Sequence, residues 1–404
     1  MKIRKAYRFR LKTTPLIEEK FDQFAGCARK LWNMVLAISL RRLEARQPIF
    51  WYNEAAFWLA LWKSSDEYGF FKACHSQVLQ QKLKDLDKAF RDAFDKNQPL
   101  KKLPTWRKRN QHSSFRFPQG FKLENRRVYL PKIGWVGFFK SCDIEGTPKN
   151  ATISKQGPHW FLSIQVEIEK AVANHPATSA IGIDLGVKRF AALSNGSAIG
   201  PINAFKAVEI KLAKEQRKLS RKEKFSCNWK KQKKRVQMIH SCIARSRRDF
   251  LHKTSTQLSN NHALIVVEEL KIRNMSKSAR GDREKPGHRV KAKSGLNKSI
   301  LDQGWGEFKR QLEYKQTWRG GLLLSVNPQH TSQCCHACGH IAKENRVSQA
   351  DFYCQQCGHK DNADTNAAKN ILAAGHAVLA CGEWVQLGRS KKQEPPRNCE
   401  KVAA

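Results

Sequence analysis

The chain has 404 residues, enough for two to four compact domains, and its 40 % hydrophobic content is that of a folded protein. Seventy-five Lys and Arg stand against 35 Asp and Glu, a formal net charge of +40. A balanced enzyme surface needs nothing like this excess, which repels itself unless a partner such as a polyphosphate backbone neutralises it and releases counterions.

Residues 2–12 (KIRKAYRFRLK) alternate with period two and are expected to form a strand. Ile3, Tyr7, Phe9 and Leu11 share one face; Lys2, Arg4, Arg8, Arg10 and Lys12 form a basic stripe on the other, suited to tracking phosphates. Residues 15–96 switch to helical spacing, with one stripe through Ile17, Phe21, Phe24, Ala28, Leu31 and Val35 and another through Leu79, Leu83, Leu86, Phe90 and Phe94. The aromatic stretch 48–63 between them reads mostly as core, with Tyr52 a candidate for stacking on a base. In 105–117, Trp106, Phe115 and Phe117 interleave with Arg107, Lys108, Arg109 and Arg116, a pattern that can stack on and neutralise nucleic acid and that reads equally as a basic loop followed by a strand. Residues 126–169 read as short strands, clearest in WFLSIQVEI at 160–168. These segments together predict a β-barrel-like domain interrupted by a helical one.

From residue 180 the pattern becomes α/β. A strand, turn and strand span SAIGIDLGVKRFAALSNG, a very basic helical pair spans 205–255, and HALIVVEEL at 262–270 is a buried strand. Residues 274–298 read as mobile, 299–318 as a helix and 321–328 as a strand. No signal peptide or membrane span of about 20 apolar residues is expected, so the twelve cysteines read as reduced thiols and metal ligands in a cytoplasmic protein.

Cys335-x2-Cys338 and, fifteen residues on, Cys354-x2-Cys357 are two knuckles, with Gly339 and Gly358 following them. Four thiolates close a tetrahedral site that favours one structural zinc ion. Cys334 is out of register, and His336, His340 and His359 are surplus. Acids at strand ends stand out in so basic a chain: Asp184, the pair Glu268 and Glu269, and then Asp361 and Asp364 before an Ala-rich helix that Gly375 would cap. Three carboxylates converging from two strands and a helix start can hold two Mg²⁺ ions about 4 Å apart. The alternative is that they are helix caps and ion-pair partners.

IGIDLGVKRFAALSNG, VVEEL, LDQGWGEFKRQLEYK, TSQCCHACGH, YCQQCGHKDNADTNAAKNIL and CGEW, with KAYRFRLKTT and LPKIGWVGFF, resemble the TnpB family. These transposon-encoded, RNA-guided DNA endonucleases, also called OrfB-type transposases, are related to type V CRISPR nucleases. The resemblance covers nearly the whole chain. It implies a multidomain α/β protein: a β-barrel wedge domain (1–13 and 100–172), a helical recognition domain (14–99), a RuvC-like nuclease domain of RNase H fold (177–329 and 360–380), a zinc ribbon insert (330–359) and a flexible tail (381–404). It implies catalysis by Asp184, Glu268 and Asp364 as ligands of two Mg²⁺ ions; alternation placing Leu264, Val266 and Glu268 on one face supports Glu268 over Glu269. It also implies a noncoding guide RNA from the transposon end, a double-stranded DNA target beside a short motif, and a monomeric ribonucleoprotein acting at a bacterial or archaeal nucleoid, with the guide supplying sequence specificity. Gln80, with Gln77 and Gln81, is placed to read base edges near that motif. A non-cutting RNA-guided binder and a strand-transfer transposase are the competing readings.

Overall fold

The computed structural model describes residues 2–109, 113–170, 174–282 and 284–380; the expected flexible tail, 381–404, lies outside the described residues. The chain divides into two compact units, 1–172 with 210–242, and 173–209 with 243–404.

The first unit opens with β1 (Lys2–Lys12), followed by α1 (Pro15–Glu44), α2 (Tyr52–Ser64) and α3 (Ser76–Phe94). Six strands come next: β2 (Ser114–Phe117), β3 (Lys122–Glu124), β4 (Arg127–Leu130), β5 (Gly134–Phe139), β6 (Thr147–Gln156) and β7 (His159–Glu169). They form one sheet of order β2-β6-β7-β1-β5-β4-β3. The period-two pattern of β1 survives: Ile3, Tyr7, Phe9 and Leu11 are buried while Arg4, Arg8 and Arg10 stay exposed.

Thr14 starts α1 by accepting a hydrogen bond from the Ile17 N–H at 3.4 Å, with Pro15 at the first helical position. α1 then covers the apolar face of the sheet, Phe21 meeting Trp160 at 5.1 Å and Phe24 meeting Phe115 at 5.4 Å between ring centroids. A helix, not an opposing strand, closes this core. Among the described residues β2 and β3 pair with no further strand, so the expected barrel is a sheet with two edges.

The aromatic stretch also differs from expectation. α2 buries Ala55 and Leu59, but Phe57, Trp58 and Leu61 are 64 %, 41 % and 46 % exposed. Its apolar residues run around the whole helix, and only one stripe can face the core. Phe94, the last residue of α3, is exposed although it continues the apolar stripe, its ring stacked 6.3 Å from that of Phe90.

The second unit contains β8 (Ala180–Asp184), β9 (Ala191–Leu193) and β10 (Ala198–Ile199). Next along the chain come α4 (Glu209–Ser220) and α5 (Cys227–Asn261), of which residues 210–242 group with the first unit. β11 (Leu264–Glu268), α6 (Ile272–Met275), α7 (Val290–Gln303), α8 (Trp305–Arg319), β12 (Leu322–Val326), β13 (Asp351–Tyr353), β14 (Lys360–Asn362) and α9 (Ala363–Ala380) complete the described chain. The basic stretch 274–298, read above as mobile, therefore holds the end of α6 and much of α7. Gly304, at φ +74°, ends α7 and begins α8, dividing what periodicity presented as a single helix from 299.

The sheet order is β10-β9-β8-β11-β12, with β8, β11 and β12 parallel. Ile181, Ile183, Ile265 and Val267 pack on one face against residues of α5, α7 and α8, including Leu258, Ile300, Trp305 and Phe308. Val266 and Val326 pack on the other face against Ile371 of α9. Gly375 does not cap α9; it lies within the helix, where an added Cβ would come 2.4 Å from Val266 Cγ2. Gly182 is tighter still, its hypothetical Cβ falling 2.1 Å from the Ala368 carbonyl oxygen. Among the described residues no helix is long and apolar enough to cross a membrane.

Gly182→Ala is expected to lower the melting temperature of the purified protein, since over-packing costs about 1–3 kcal/mol and the obstructing atom is backbone. An unchanged melting temperature would show that α9 does not pack this closely on β8.

Candidate active site

Asp184 is the last residue of β8 and Glu268 the last of the neighbouring parallel strand β11. Side chains alternate along a strand, so Asp184 follows Gly182 and Glu268 follows Val266 onto the face covered by α9. Asp364 lies in the first turn of α9, where the Asn362 side-chain oxygen accepts from its backbone N–H at 3.2 Å. The three acids thus meet at the carboxyl ends of two parallel strands and the start of the helix packed on them. Glu269 is exposed, and Asp361 is held instead by the Lys369 ammonium at 2.7 Å.

The electrostatics follow from this crowding. Burial, reinforced by the charges of Glu268 and Asp364, pushes the Asp184 carboxyl up to about 7; the nearby Arg346 guanidinium opposes the rise. Burial also raises Glu268, against a hydrogen bond from Thr331 Oγ1 to its Oε1 at 2.6 Å. Arg346 Nη2 lies 3.8 Å from Asp364 Oδ1. A group of acids that resists ionising together is one that a divalent cation would relieve.

Arg346 and Thr331 were not singled out in the sequence. Both lie in the segment between β12 and α9, and neither carries a spacing signal. That segment is organised by its thiols. The sulfur atoms of Cys335, Cys338, Cys354 and Cys357 all lie within 4.8 Å of one another, a four-cysteine cluster of zinc-ribbon type whose donor set fits zinc. Gly339 (φ +76°) and Gly358 (φ +71°) close the two knuckles, their N–H groups donating to the carbonyls of Cys335 and Cys354 at 2.9 and 3.0 Å. The Cys334 sulfur turns to the carbonyls of Cys335 and Gly339, each at 3.6 Å, and stands outside the cluster. Buried Asn345 ties the knuckles together: its amide donates to the carbonyls of Gln333 and His340, and its oxygen accepts from the Gln355 N–H. Asn366 and Asn370 of α9 each donate to the Cys334 carbonyl at 2.7 Å, seating the ribbon on the helix that bears Asp364.

The candidate nucleic-acid contacts lie in the first unit. Arg4 is exposed; the guanidinium groups of Arg8 and Arg10 cover the rings of Phe161 and Phe139 at 4.2 and 4.3 Å. Gln80 and Arg109 are exposed. Tyr52 is partly buried, with Lys84 over its ring at 5.2 Å. Arg107 is drawn against α1, its guanidinium 3.7 Å from the Trp32 ring centroid and its backbone N–H bonded to Asn33.

Three family models match the chain: a probable transposase (OrfB, IS605 type) over residues 163–279, the Cas12f1-like TNB domain over 305–371, and a helix-turn-helix domain over 1–48. The last spans β1 and the single long helix α1. InsQ of Escherichia coli (strain K12), named as an RNA-guided DNA endonuclease, is 50 % identical over 405 residues, covering 100 % of both chains. This chain belongs to the TnpB (OrfB) family. A Streptomyces pristinaespiralis relative of the same named activity is 30 % identical over 98 % of this TnpB-family chain and 97 % of its own. The fold is that of Cas12f1 in its complex with guide RNA and target DNA, at a TM-score of 0.55 and 14 % identity, over 92 % of this chain and 98 % of that one.

Because the Asp184 carboxyl is raised to about 7 in the folded chain, its contribution to stability is complete below the unfolded value of about 3.9 and is lost as pH rises through 7. Asp184→Asn is expected to raise the melting temperature at about pH 8 without magnesium and to change it little at about pH 4. Equal melting temperatures at the higher pH would contradict the crowding.

Proposed function

We propose that this TnpB-family chain is an RNA-guided, Mg²⁺-dependent endonuclease that hydrolyses phosphodiesters of double-stranded DNA beside a short target-adjacent motif. The observation that carries the reading is the meeting of Asp184, Glu268 and Asp364 at strand ends and a helix start, in a chain of net charge +40. Its family membership makes it a DNA-cleaving nuclease, as its relatives are named.

In this reading residues 177–329 and 360–380 form a RuvC-like nuclease domain of RNase H fold, with the ribbon 330–359 inserted. Residues 1–13 with 100–172 form the wedge domain and 14–99 the recognition domain. Two Mg²⁺ ions bound by the three acids would activate a water and stabilise the leaving 3′ oxygen. Asp184, Glu268 and Asp364 supply the oxygen ligands. Thr331 fixes one oxygen of Glu268 and leaves the other free for a metal. Arg346 beside Asp364 is placed to neutralise the scissile phosphate. The ribbon holds one structural zinc ion through Cys335, Cys338, Cys354 and Cys357. A noncoding RNA from the transposon end guides a monomeric protein in the bacterial or archaeal cytoplasm, and base pairing reads the target. Arg4, Arg8, Arg10, Arg107 and Arg109 contact phosphates, Tyr52 stacks, and Gln80 reads the motif.

Purified protein with its guide RNA should cut matched DNA only with a divalent cation, and Asp184→Ala should abolish cutting while leaving target binding within about twofold. Cutting retained in that variant would overturn the assignment. Thr331→Val should raise the Mg²⁺ concentration for half-maximal cutting by about tenfold, and Thr331→Ser should restore it. An identical Mg²⁺ dependence in the Val variant would remove Thr331 from the site.

A further inference from the structure

The four thiolates complete one tetrahedral site and leave the ribbon's histidines without an assigned role. Two of them converge on an acid. His336 follows Cys335 in the first knuckle, His359 follows Gly358 after the second, and Asp361 lies on β14. One ligand atom from each lies within 4.8 Å of the other two. Among the described residues, only the four cysteines form another cluster of this kind. The two imidazoles meet edge to face, ring centroids 4.6 Å apart. His359 Nε2 lies 3.8 Å from Asp361 Oδ2, is shielded from solvent, and has no hydrogen-bond partner. A buried imidazole nitrogen left unpaired beside a carboxylate is costly unless something fills the space between them.

The backbone holds the three residues in place. The His336 N–H donates to Asn366 Oδ1 of α9 at 3.1 Å, the His359 carbonyl accepts from Cys354 N–H at 2.9 Å, and Asp361 pairs with Phe352 across β13 and β14. Asp361 Oδ2 is bonded by the Lys369 ammonium at 2.7 Å, a monovalent cation already at the position a metal would use. The Lys369 side chain is 33 % exposed and can swing into water.

We propose that His336, His359 and Asp361 form a second metal site, distinct from the thiolate cluster and from the acids of the active site. Two imidazoles and one carboxylate suit a borderline divalent transition ion such as Zn²⁺, Co²⁺ or Ni²⁺; Mg²⁺ prefers oxygen alone. Three protein ligands leave a fourth position for water. The ion and the Lys369 ammonium compete for Asp361, so the site fills at higher free metal than the thiolate cluster.

The test is a Co²⁺ titration of the full-length Asp184→Ala protein, whose acidic cluster no longer completes a metal site, read by bound metal and by absorption spectrum. Two equivalents are expected. The tighter shows the thiolate-to-cobalt charge-transfer band; the weaker shows only the visible bands of a nitrogen and oxygen site. His336→Ala with His359→Ala should weaken the second equivalent by tenfold or more while the thiolate band persists, and Lys369→Gln should tighten it several-fold. Uptake of a single equivalent, or a second one unmoved in both variants, overturns the proposal. Should the double variant lose the thiolate band through misfolding, the Lys369→Gln titration decides: tighter binding supports the site and unchanged binding refutes it.

Discussion

The geometry of the acidic cluster depends on how closely α9 lies against the parallel strands β8 and β11. Gly182 and Gly375 make that approach possible, one on the strand and one on the helix, each occupying space where a methyl group would strike the opposite element. Two of the three acids sit on the strands and one on the helix, so this contact sets the distances among them. It also explains why the acids share a face: Gly182 and Asp184 are two residues apart on one strand, as Val266 and Glu268 are on the next. The helix that covers the first of each pair brings its own acid to the second.

The ribbon is a working part of this arrangement. It supplies Thr331 to Glu268 and Arg346 to Asp364, and is pinned to α9 by Asn366 and Asn370. Burial, reinforced by the neighbouring acids, raises the Asp184 carboxyl, and the ribbon's arginine is the counter-charge that moderates the rise. A thiolate cluster that orders the ribbon therefore acts on a separate, oxygen-lined site through packed side chains and hydrogen bonds.

Much of this was legible in the sequence because periodicity and spacing are local signals. β1 showed its alternation, the two knuckles their cysteines, and VVEEL the choice between adjacent glutamates, with Glu268 half-buried and Glu269 exposed. What escaped depends on long-range packing. Thr331 lies 63 residues from the acid it holds, and no pattern within the ribbon marks it. Gly375 read as a helix cap because a glycine that ends a helix and one that admits a neighbouring strand look alike in a string. The break at Gly304 was hidden because apolar spacing continued through a residue whose positive φ divides the helix. The exposed rings of α2 were read as core because an aromatic-rich segment does not show which stripe faces inward.

The order of the pieces along the chain has a further consequence. Asp184 and Glu268 emerge before the residues that hold Glu268 and accompany Asp364, which come only after position 330, and the covering helix is the last described element. Until that helix docks, the two strand-borne acids lie at the end of a sheet whose second face is uncovered. The nascent chain therefore carries its basic surface for most of its synthesis before the three acids come together, and the acidic cluster is assembled only when the helix arrives.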